Sequence, residues 1–161
     1  MATLTLATPE ELMHYQLRTA LTMENDSLAA LGELAKAAKS KEVKDMFRHH
    51  SDETKEQIEN LRRVFTLLEF KDTSAPSPST KGISKQAESL IGKSEPKLRD
   101  QVTLSCALGN EHYEMAAYQG LIIPATAMGA TDVVALLQAN LDQEVHTSEE
   151  LQSMLQKIVS A

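Results

Sequence analysis

Aromatic residues, cysteine and basic residues are all scarce in this chain of 161 residues. Aromatic side chains make up 4% of it and tryptophan is absent, which argues against a stacking platform for single-stranded nucleic acid. The 16 Lys and Arg residues are outnumbered by 23 Asp and Glu residues, and no basic cluster offers a surface for duplex DNA or RNA. The single cysteine excludes an internal disulfide and a cysteine-rich zinc site.

Long hydrophobic runs are missing as well. No stretch reaches the roughly 18 uncharged apolar residues that a membrane-spanning helix needs. The segment MATLTLATPEEL lacks the basic start and apolar run of a signal peptide. We therefore expect a cytoplasmic protein that binds neither membrane nor nucleic acid. With 42% hydrophobic and 24% charged residues, it can form a single domain over residues 1–161.

Glycine and proline are few, at 6 and 5 residues, and they mark the ends of the predicted helices. Thr8, Pro9 and Glu11 form a capping-box start for a first helix. Ser40 ends that helix and caps a second, whose apolar residues recur every three or four positions as far as Leu68. These two segments predict an antiparallel helical hairpin.

The second half repeats this pattern after a linker at about 70–80, FKDTSAPSPST. A short amphipathic helix is predicted at roughly 81–92. A third long helix follows from Pro96 to Met128, and Pro124 is expected to kink or fray its last turn. Gly129 ends that helix, and Thr131 is predicted to cap a fourth. Two hairpins joined by one long crossover with a short fifth helix predict an all-α, ferritin-like four-helix bundle.

Glutamates interrupt the apolar stripe of every long helix. They are Glu24 on the first helix, Glu53 on the second, Glu111 and Glu114 on the third, and Glu144 on the fourth, with His50 one turn before Glu53. Residues three, four and seven apart share one face of a helix. At those spacings Glu24, Glu111 and Glu114 have mainly apolar neighbours, and Glu144 is flanked by leucines. Glu53 and His50 lie among Met46, Phe47 and Leu61, so both are predicted to face inward. Buried carboxylates without partners are costly and repel one another, so something must neutralise them.

Divalent metal ions are the most economical way to neutralise this cluster. No Lys or Arg lies on the inward stripes at these levels, and two divalent cations would nearly balance five carboxylates. Oxygen ligands with one imidazole suit iron or manganese better than zinc or copper(I). We therefore predict two Fe or Mn ions, bound by the five glutamates with His50 as the nitrogen ligand.

Each of these residues also has a purely structural interpretation. A single buried glutamate is more often a hydrogen-bonding core residue, and His50 alone is more often a core or edge histidine. Matched depth favours the metal interpretation: Glu24 and Glu53 are 29 residues apart, and Glu114 and Glu144 are 30 apart. Two hairpins with such similar spacings would place their carboxylates at one level of the bundle.

The chain resembles the YciE/YciF-like stress proteins of the ferritin-like superfamily. The shared motifs are MEN around Glu24, HxxETxxQ from His50 to Gln57, ExxExAxY from Glu111 to Tyr118, and LxxE from Leu141 to Glu144. The resemblance covers nearly the whole chain. It implies a rubrerythrin-like carboxylate site, a homodimer, and a part in bacterial stress or oxidative defence.

The histidine pattern departs from that of ferritin and rubrerythrin, whose sites carry ExxH on two helices. Here Glu53 is followed three residues later by Glu56, and Glu144 by Thr147, whereas His50 precedes Glu53. Fewer histidines favour weaker metal binding, manganese, or a site that has lost its metal. The chain also lacks a rubredoxin-type cysteine pair, so a redox cycle would need an electron donor from elsewhere, still unknown.

Two functions are consistent with these residues. The first is a dinuclear iron or manganese protein that acts on peroxide or dioxygen, as a peroxidase or ferroxidase-like oxidoreductase does. The second is a metal-free or metal-optional stress or interaction scaffold without catalysis, in which the carboxylates are protonated or hydrogen-bonded to Tyr and Gln across the core.

Overall fold

The computed structural model describes residues 4–160 and consists of α-helices, with no strand in that range. The helices are α1 Pro9–Ala37, α2 Lys41–Leu67, α3 Pro78–Lys93, α4 Arg99–Ala127 and α5 Thr131–Val159, and a 3-10 turn over Pro96–Leu98 precedes α4. The predicted all-α fold with a short crossover helix is confirmed. None of the described helices is long and apolar enough to cross a membrane.

The helix starts of the first hairpin follow the capping signals of the sequence. The Thr8 hydroxyl accepts a hydrogen bond from the Glu11 N–H, while the Glu11 carboxylate accepts one from the Thr8 N–H. The Ser40 hydroxyl accepts from the Val43 N–H in the same way. These bonds satisfy N–H groups that have no partner within the helix.

The second half departs from prediction at three helix boundaries. The short helix starts at Pro78 rather than 81, because proline suits a first helical turn. Helix α4 begins only at Arg99, after the 3-10 turn, and it continues through Pro124 to Ala127. Pro124 has no N–H to donate to the Gly120 carbonyl, but Gly120 is exposed, so water can hydrogen-bond that carbonyl instead.

The predicted cap at Thr131 is wrong, since Thr131 is already the first residue of α5. Gly129 ends α4 as predicted, with a φ of 69°, and the Ala130 N–H donates to the Ala125 carbonyl at 3.1 Å. This tight turn places Ala130 at the cap position, which carries no side-chain hydrogen bond.

The four long helices form the bundle and α3 lies outside it. Helix α1 pairs with α2 and α4 with α5, and contacts of α2 with α5 and of α1 with α4 close the ring. Helix α3 packs across α1 and α4. The linker before it follows α1: the Ala75 N–H donates to the Arg18 carbonyl at 3.1 Å, and the Thr22 hydroxyl donates to the Ala75 carbonyl at 2.6 Å.

The buried interior has an apolar cluster near each end of the bundle. One includes Leu17, Phe65 and Leu137, and the other includes Leu34, Phe47 and Leu151. The helix centres carry a set of buried polar residues. They are Glu24, Ser27, His50, Thr54, Gln57, Glu111, Glu114, Asn140, Glu144, Thr147 and Ser148. The apolar clusters stabilise the bundle, and the central layer contains the candidate site.

Candidate metal centre

All five glutamates singled out by the sequence lie within two residues of the midpoint of their helix. Four are almost completely buried: Glu24 is 0% exposed, Glu114 1%, and Glu111 and Glu144 3% each. The fifth, Glu53, keeps 18% of its side chain exposed. The helical periodicity therefore brings carboxylates from all four long helices to one level of the bundle.

The centre of this group is a triad on α4 and α5. Glu111, Glu114 and Glu144 each offer a carboxylate oxygen, and these oxygens lie within 4.8 Å of one another. Glu111 and Glu114 are one helical turn apart, so both project from α4 toward α5. Among residues 4–160, no other set of three or more His, Cys, Asp or Glu side chains comes close enough together to hold a metal ion.

Glu24 flanks the triad from α1 and is held by a tyrosine. The Tyr118 hydroxyl donates a hydrogen bond to Glu24 Oε1. It accepts one from the Asn140 amide at 3.0 Å, and that amide also reaches the Gln57 carbonyl at 3.1 Å. The Asn60 amide donates to Asn140 Oδ1 at 2.8 Å. Because Asn140 supplies a donor, the Tyr118 proton is directed at Glu24.

Glu53 and His50, both on α2, lie at the side of the group near α5. Glu53 Oε2 accepts a hydrogen bond from the Thr147 hydroxyl at 3.4 Å, and Glu53 Oε1 is 3.5 Å from His49 Nε2. His50 is 3% exposed, and its Nε2 is 3.2 Å from a Glu150 carboxylate oxygen. The imidazole thus contacts Glu150 on α5, and neither it nor Glu53 belongs to the close triad.

Burial raises the pKa of all four buried carboxylates, and mutual repulsion raises it further for Glu111, Glu114 and Glu144. Burial raises the pKa of Glu24 to about 7, against a smaller lowering by the Tyr118 hydrogen bond. Burial, and then the charge of Glu114, raise the pKa of Glu111 well above its usual range. Burial raises that of Glu114 well above its usual range too, with added repulsion from Glu24 and Glu144. Four carboxylates this close cannot all be ionised without a cation.

Burial also raises the pKa of Glu144, and a hydrogen bond with Glu111 raises it further. Two carboxyl groups share a hydrogen bond only when one of them carries the proton. In that hydrogen bond, one of the two carboxyl groups is the protonated donor.

The donor set fits a hard divalent cation. Glu24 Oε2, Glu114 Oε1 and Glu144 Oε1 are buried without a hydrogen-bond partner. Among residues 4–160, no Lys or Arg forms an ion pair with these carboxylates. Buried oxygens with free lone pairs and surplus negative charge are the ligands that Fe and Mn accept.

Several contacts of the site had no signal in the sequence. Asn140 belongs to the buried network around Tyr118, although its residue type suggests a surface position. Glu150 lies one turn after the exposed His146 on α5, yet it contacts the buried His50. Ser27 is hydrogen-bonded by Asn110 across α1 and α4 at 3.2 Å. Helical periodicity indicates a face, but such pairs depend on how two helices are rotated against each other.

The match to a protein family covers almost the whole chain. Residues 8–161 match the domain of unknown function DUF892. The chain belongs to this family. Protein YciF of Escherichia coli K12 is 27% identical over 148 residues, an alignment that covers 91% of this chain and 89% of that protein. The resemblance to YciE/YciF-like proteins that the motifs predicted is therefore confirmed.

Solved structures of similar proteins share the fold of this DUF892 chain. The E. coli stress protein YciF aligns with a TM-score of 0.91 at 25% identity, covering 96% of this chain and 99% of that one. YcfI of Rhodopseudomonas palustris aligns with a TM-score of 0.89 at 29% identity, covering 94% and 98%. A Xanthomonas campestris protein, at 21% identity and a TM-score of 0.75 over 96% and 95%, supports the fold alone.

Proposed function

We propose that this protein binds a pair of Fe or Mn ions at the central carboxylates and acts on peroxide or dioxygen in a stress response. The observation that carries the proposal is the group of four buried carboxylates in which three oxygens lack any partner. A pair of divalent cations would supply the missing partners and neutralise the charge.

Each candidate ligand has a distinct part in this proposal. Glu111, Glu114 and Glu144 would hold the metal from α4 and α5, with Glu24 and Glu53 completing the set from α1 and α2. Bound Fe or Mn would supply the redox chemistry and the site for an oxygen compound. The Tyr118 hydroxyl holds Glu24 in place by donating a hydrogen bond to that carboxylate.

His50 has a conditional part in the proposal. Its Nε2 lies 3.2 Å from a Glu150 carboxylate oxygen, and its Nδ1 is buried without a hydrogen-bond partner. Burial lowers the pKa of His50, which keeps the imidazole neutral and able to act as a ligand. We propose it as the nitrogen ligand, reached by a side-chain rotation away from Glu150.

A stress or interaction scaffold without catalysis is the second candidate. Protons can replace metal in neutralising the carboxylates, as the Glu111–Glu144 hydrogen bond illustrates. YcfI of Rhodopseudomonas palustris, which shares the fold, is described as a candidate structural protein. In this case the polar layer would serve to align the four helices.

Metal counting distinguishes the two candidates. The untagged protein is loaded anaerobically with Fe(II) or Mn(II), excess metal is removed, and the bound metal is measured by elemental analysis. We expect about two ions per chain. Glu24→Gln and Glu144→Gln keep the side-chain shape and should lose bound metal, whereas Glu33→Gln, on the exposed face of α1, should not.

The opposite result favours the scaffold. If neither Fe(II) nor Mn(II) stays bound, or if all three variants bind as the native chain does, the metal proposal is wrong. If metal binds as expected, mixing the Fe(II)-loaded protein with dioxygen or hydrogen peroxide then shows which oxidant it consumes.

A further inference from the structure

A cavity under the crossover helix leads to the carboxylate layer. It lies between α1, α3 and α4, and its wall includes Leu31, Ser84 and Glu111. Of these, Glu111 is a member of the buried triad. The cavity therefore makes contact with the candidate metal centre from the side of the bundle that α3 covers.

Two polar residues at the inner end of this cavity contact the centre as well. Ser27 and Asn110 line it, and the Asn110 amide donates to the Ser27 hydroxyl at 3.2 Å. Both residues also hydrogen-bond Glu114, which lowers the pKa of that carboxyl against the larger effect of burial. The second carboxylate oxygen, Glu114 Oε1, is buried without a partner. The inner end of the cavity thus adjoins a carboxylate with a free lone pair.

A larger groove between α1 and α3 adjoins this cavity. This groove has a volume of about 680 Å³, and it shares Asp26, Ala30 and Ala87 with the wall of the inner cavity. Helix α3 is held loosely there, since Thr80 is its one buried residue among those described. The Thr80 hydroxyl donates to Asp26 at 2.7 Å and ties α3 to α1 beside the opening.

The small volume of the inner cavity restricts which molecules can pass through it. Its volume is about 20 Å³, counted as the space open to the centre of a water molecule. One water molecule occupies roughly 10–15 Å³ on that measure. A hydrated metal ion or an organic peroxide is much larger. The Asp26 carboxylate repels small anions, while Ser27, Thr80 and Ser84 line the cavity with hydroxyl groups.

Two other grooves on the bundle do not reach the buried carboxylates. One, between α1 and α4, is lined by residues such as Met23, Tyr113 and Leu121. The other, beside α5, is lined by residues such as Met46, His146 and Glu150. Neither lining includes Glu24, Glu111, Glu114 or Glu144.

We propose that the cavity between α1, α3 and α4 is the passage by which a neutral oxygen compound no larger than dioxygen or hydrogen peroxide reaches the carboxylate centre. Ala30 on α1 and Ala87 on α3 both line this cavity. This inference rests on the proposed function for its biological meaning, but the passage itself is a property of the metal-free chain.

Dissolved dioxygen is the probe for this passage. In the metal-free protein, with EDTA present, oxygen under pressure enhances the NMR relaxation of methyl protons that it approaches, and argon at the same pressure serves as the blank. We expect a larger enhancement at the Ala107 methyl than at Val64 and Leu137, which are buried as deeply in the apolar cluster at the other end. The half-buried Ala30 and Ala87 methyls should likewise exceed Ala130, which is half-buried at that other end.

Filling the passage should remove this effect. In Ala87→Leu, the enhancement at Ala30 and Ala107 should fall by about tenfold, the factor that corresponds to about 1.4 kcal/mol of exclusion. Ala30→Leu, on the facing helix, is a second blocking variant read at Ala87 and Ala107. Ser89→Leu adds the same side chain to the exposed face of α3 and should leave the enhancement unchanged.

The outcomes separate the passage from the proposed function. The proposed passage is wrong if the enhancement at Ala107 is no larger than at Val64 and Leu137, or if it persists in both blocking variants. This holds even if the chain binds two metal ions. If the chain does bind Fe(II), Ala87→Leu should slow its oxidation without changing the amount bound. If it binds no metal, the relaxation experiment still decides whether the passage exists.

Discussion

Glu24 shows how one residue is fitted for metal without a metal being present. Its Oε1 accepts from Tyr118 and its Oε2 has no partner, so half of the carboxylate is anchored and half is free. Burial raises its pKa to about 7, close to neutral pH. A cation that arrives would displace the remaining proton and gain a ligand that is already positioned.

The stability of the metal-free protein should therefore fall as pH rises. The pKa of Glu24 is 4.5 in an unfolded chain and about 7 in the folded one, so folding favours the protonated form. The destabilisation caused by burying the ionised Glu24 is absent below the unfolded pKa and complete above the folded pKa. Between about pH 5.5 and pH 7.5, this one group should lower the free energy of unfolding by about 2 kcal/mol.

Urea unfolding in EDTA at these two pH values measures the effect. Glu24→Gln should lose less stability over the interval than the native chain, by about the 2 kcal/mol attributed to this group. The lowered pKa of His50 acts in the opposite direction below its usual range, but it is present in both proteins and cancels in the comparison. Equal pH dependence in the two proteins would contradict the assignment.

At the scale of the element, α4 carries the site on a helix of weak intrinsic propensity. It contains Gly109, Gly120 and Pro124, and Gly129 follows its C-terminal end. Glycine inside a helix costs conformational entropy, whereas glycine with a positive φ relieves strain at the end. The packing of α4 against α5, α1 and α3 maintains it as a helix over 29 residues.

Two glycine substitutions on and after α4 should have opposite effects. Gly109 is exposed, and the space that a β-carbon would occupy there has no neighbouring side chain within 4 Å, so Gly109→Ala should raise the free energy of unfolding by about 0.5–1 kcal/mol. Gly129 has a φ of 69°, and Gly129→Ala should lower it by about 1 kcal/mol. Thermal unfolding of both variants beside the native chain checks the signs, and a loss of stability in Gly109→Ala would contradict this account of α4.

At the scale of the whole molecule, two apolar clusters stabilise the bundle while the layer between them destabilises it in the absence of metal. Burial and repulsion raise the pKa of Glu111, Glu114 and Glu144, and this cost is taken from the stability of the fold. A bound cation would offset this loss of stability, because it favours the ionised form of the carboxylates.

Removing the charges should stabilise the metal-free protein and abolish the response to metal. The double variant Glu114→Gln with Glu144→Gln should unfold at a higher urea concentration than the native chain at about pH 7.5 in EDTA, because it lacks two buried ionisable groups. Mn(II) at a hundred times its dissociation constant should stabilise the native chain by about 2.7 kcal/mol and leave the variant unchanged.

The control is a double substitution at exposed positions, Glu33→Gln with Glu149→Gln. It removes the same formal charge from the surface and should respond to Mn(II) as the native chain does. A native chain that Mn(II) does not stabilise would leave the carboxylate layer without a metal function.

The fold and the burial of the site could be predicted from local patterns along the chain. Capping at Thr8 and Ser40 and the linker between the hairpins mark the helices, and 3.6-residue periodicity turns Glu24 and Glu111 inward. These features depend on neighbours a few residues away. Helix boundaries were harder to predict, as Thr131 shows, since a turn can shift by one residue at little cost in energy.

The contacts between distant residues were decided by the tertiary structure. The direction of His50 toward Glu150, the bond from Asn140 to Tyr118 and the cavity beneath α3 all depend on the relative rotation and spacing of helices far apart in the chain. Periodicity assigns each side chain to a face of its own helix, but it carries no information about which residue of a neighbouring helix stands opposite. Packing of the two hairpins and the crossover helix supplies that information, because the side chains of all four long helices must fill the apolar clusters at both ends together.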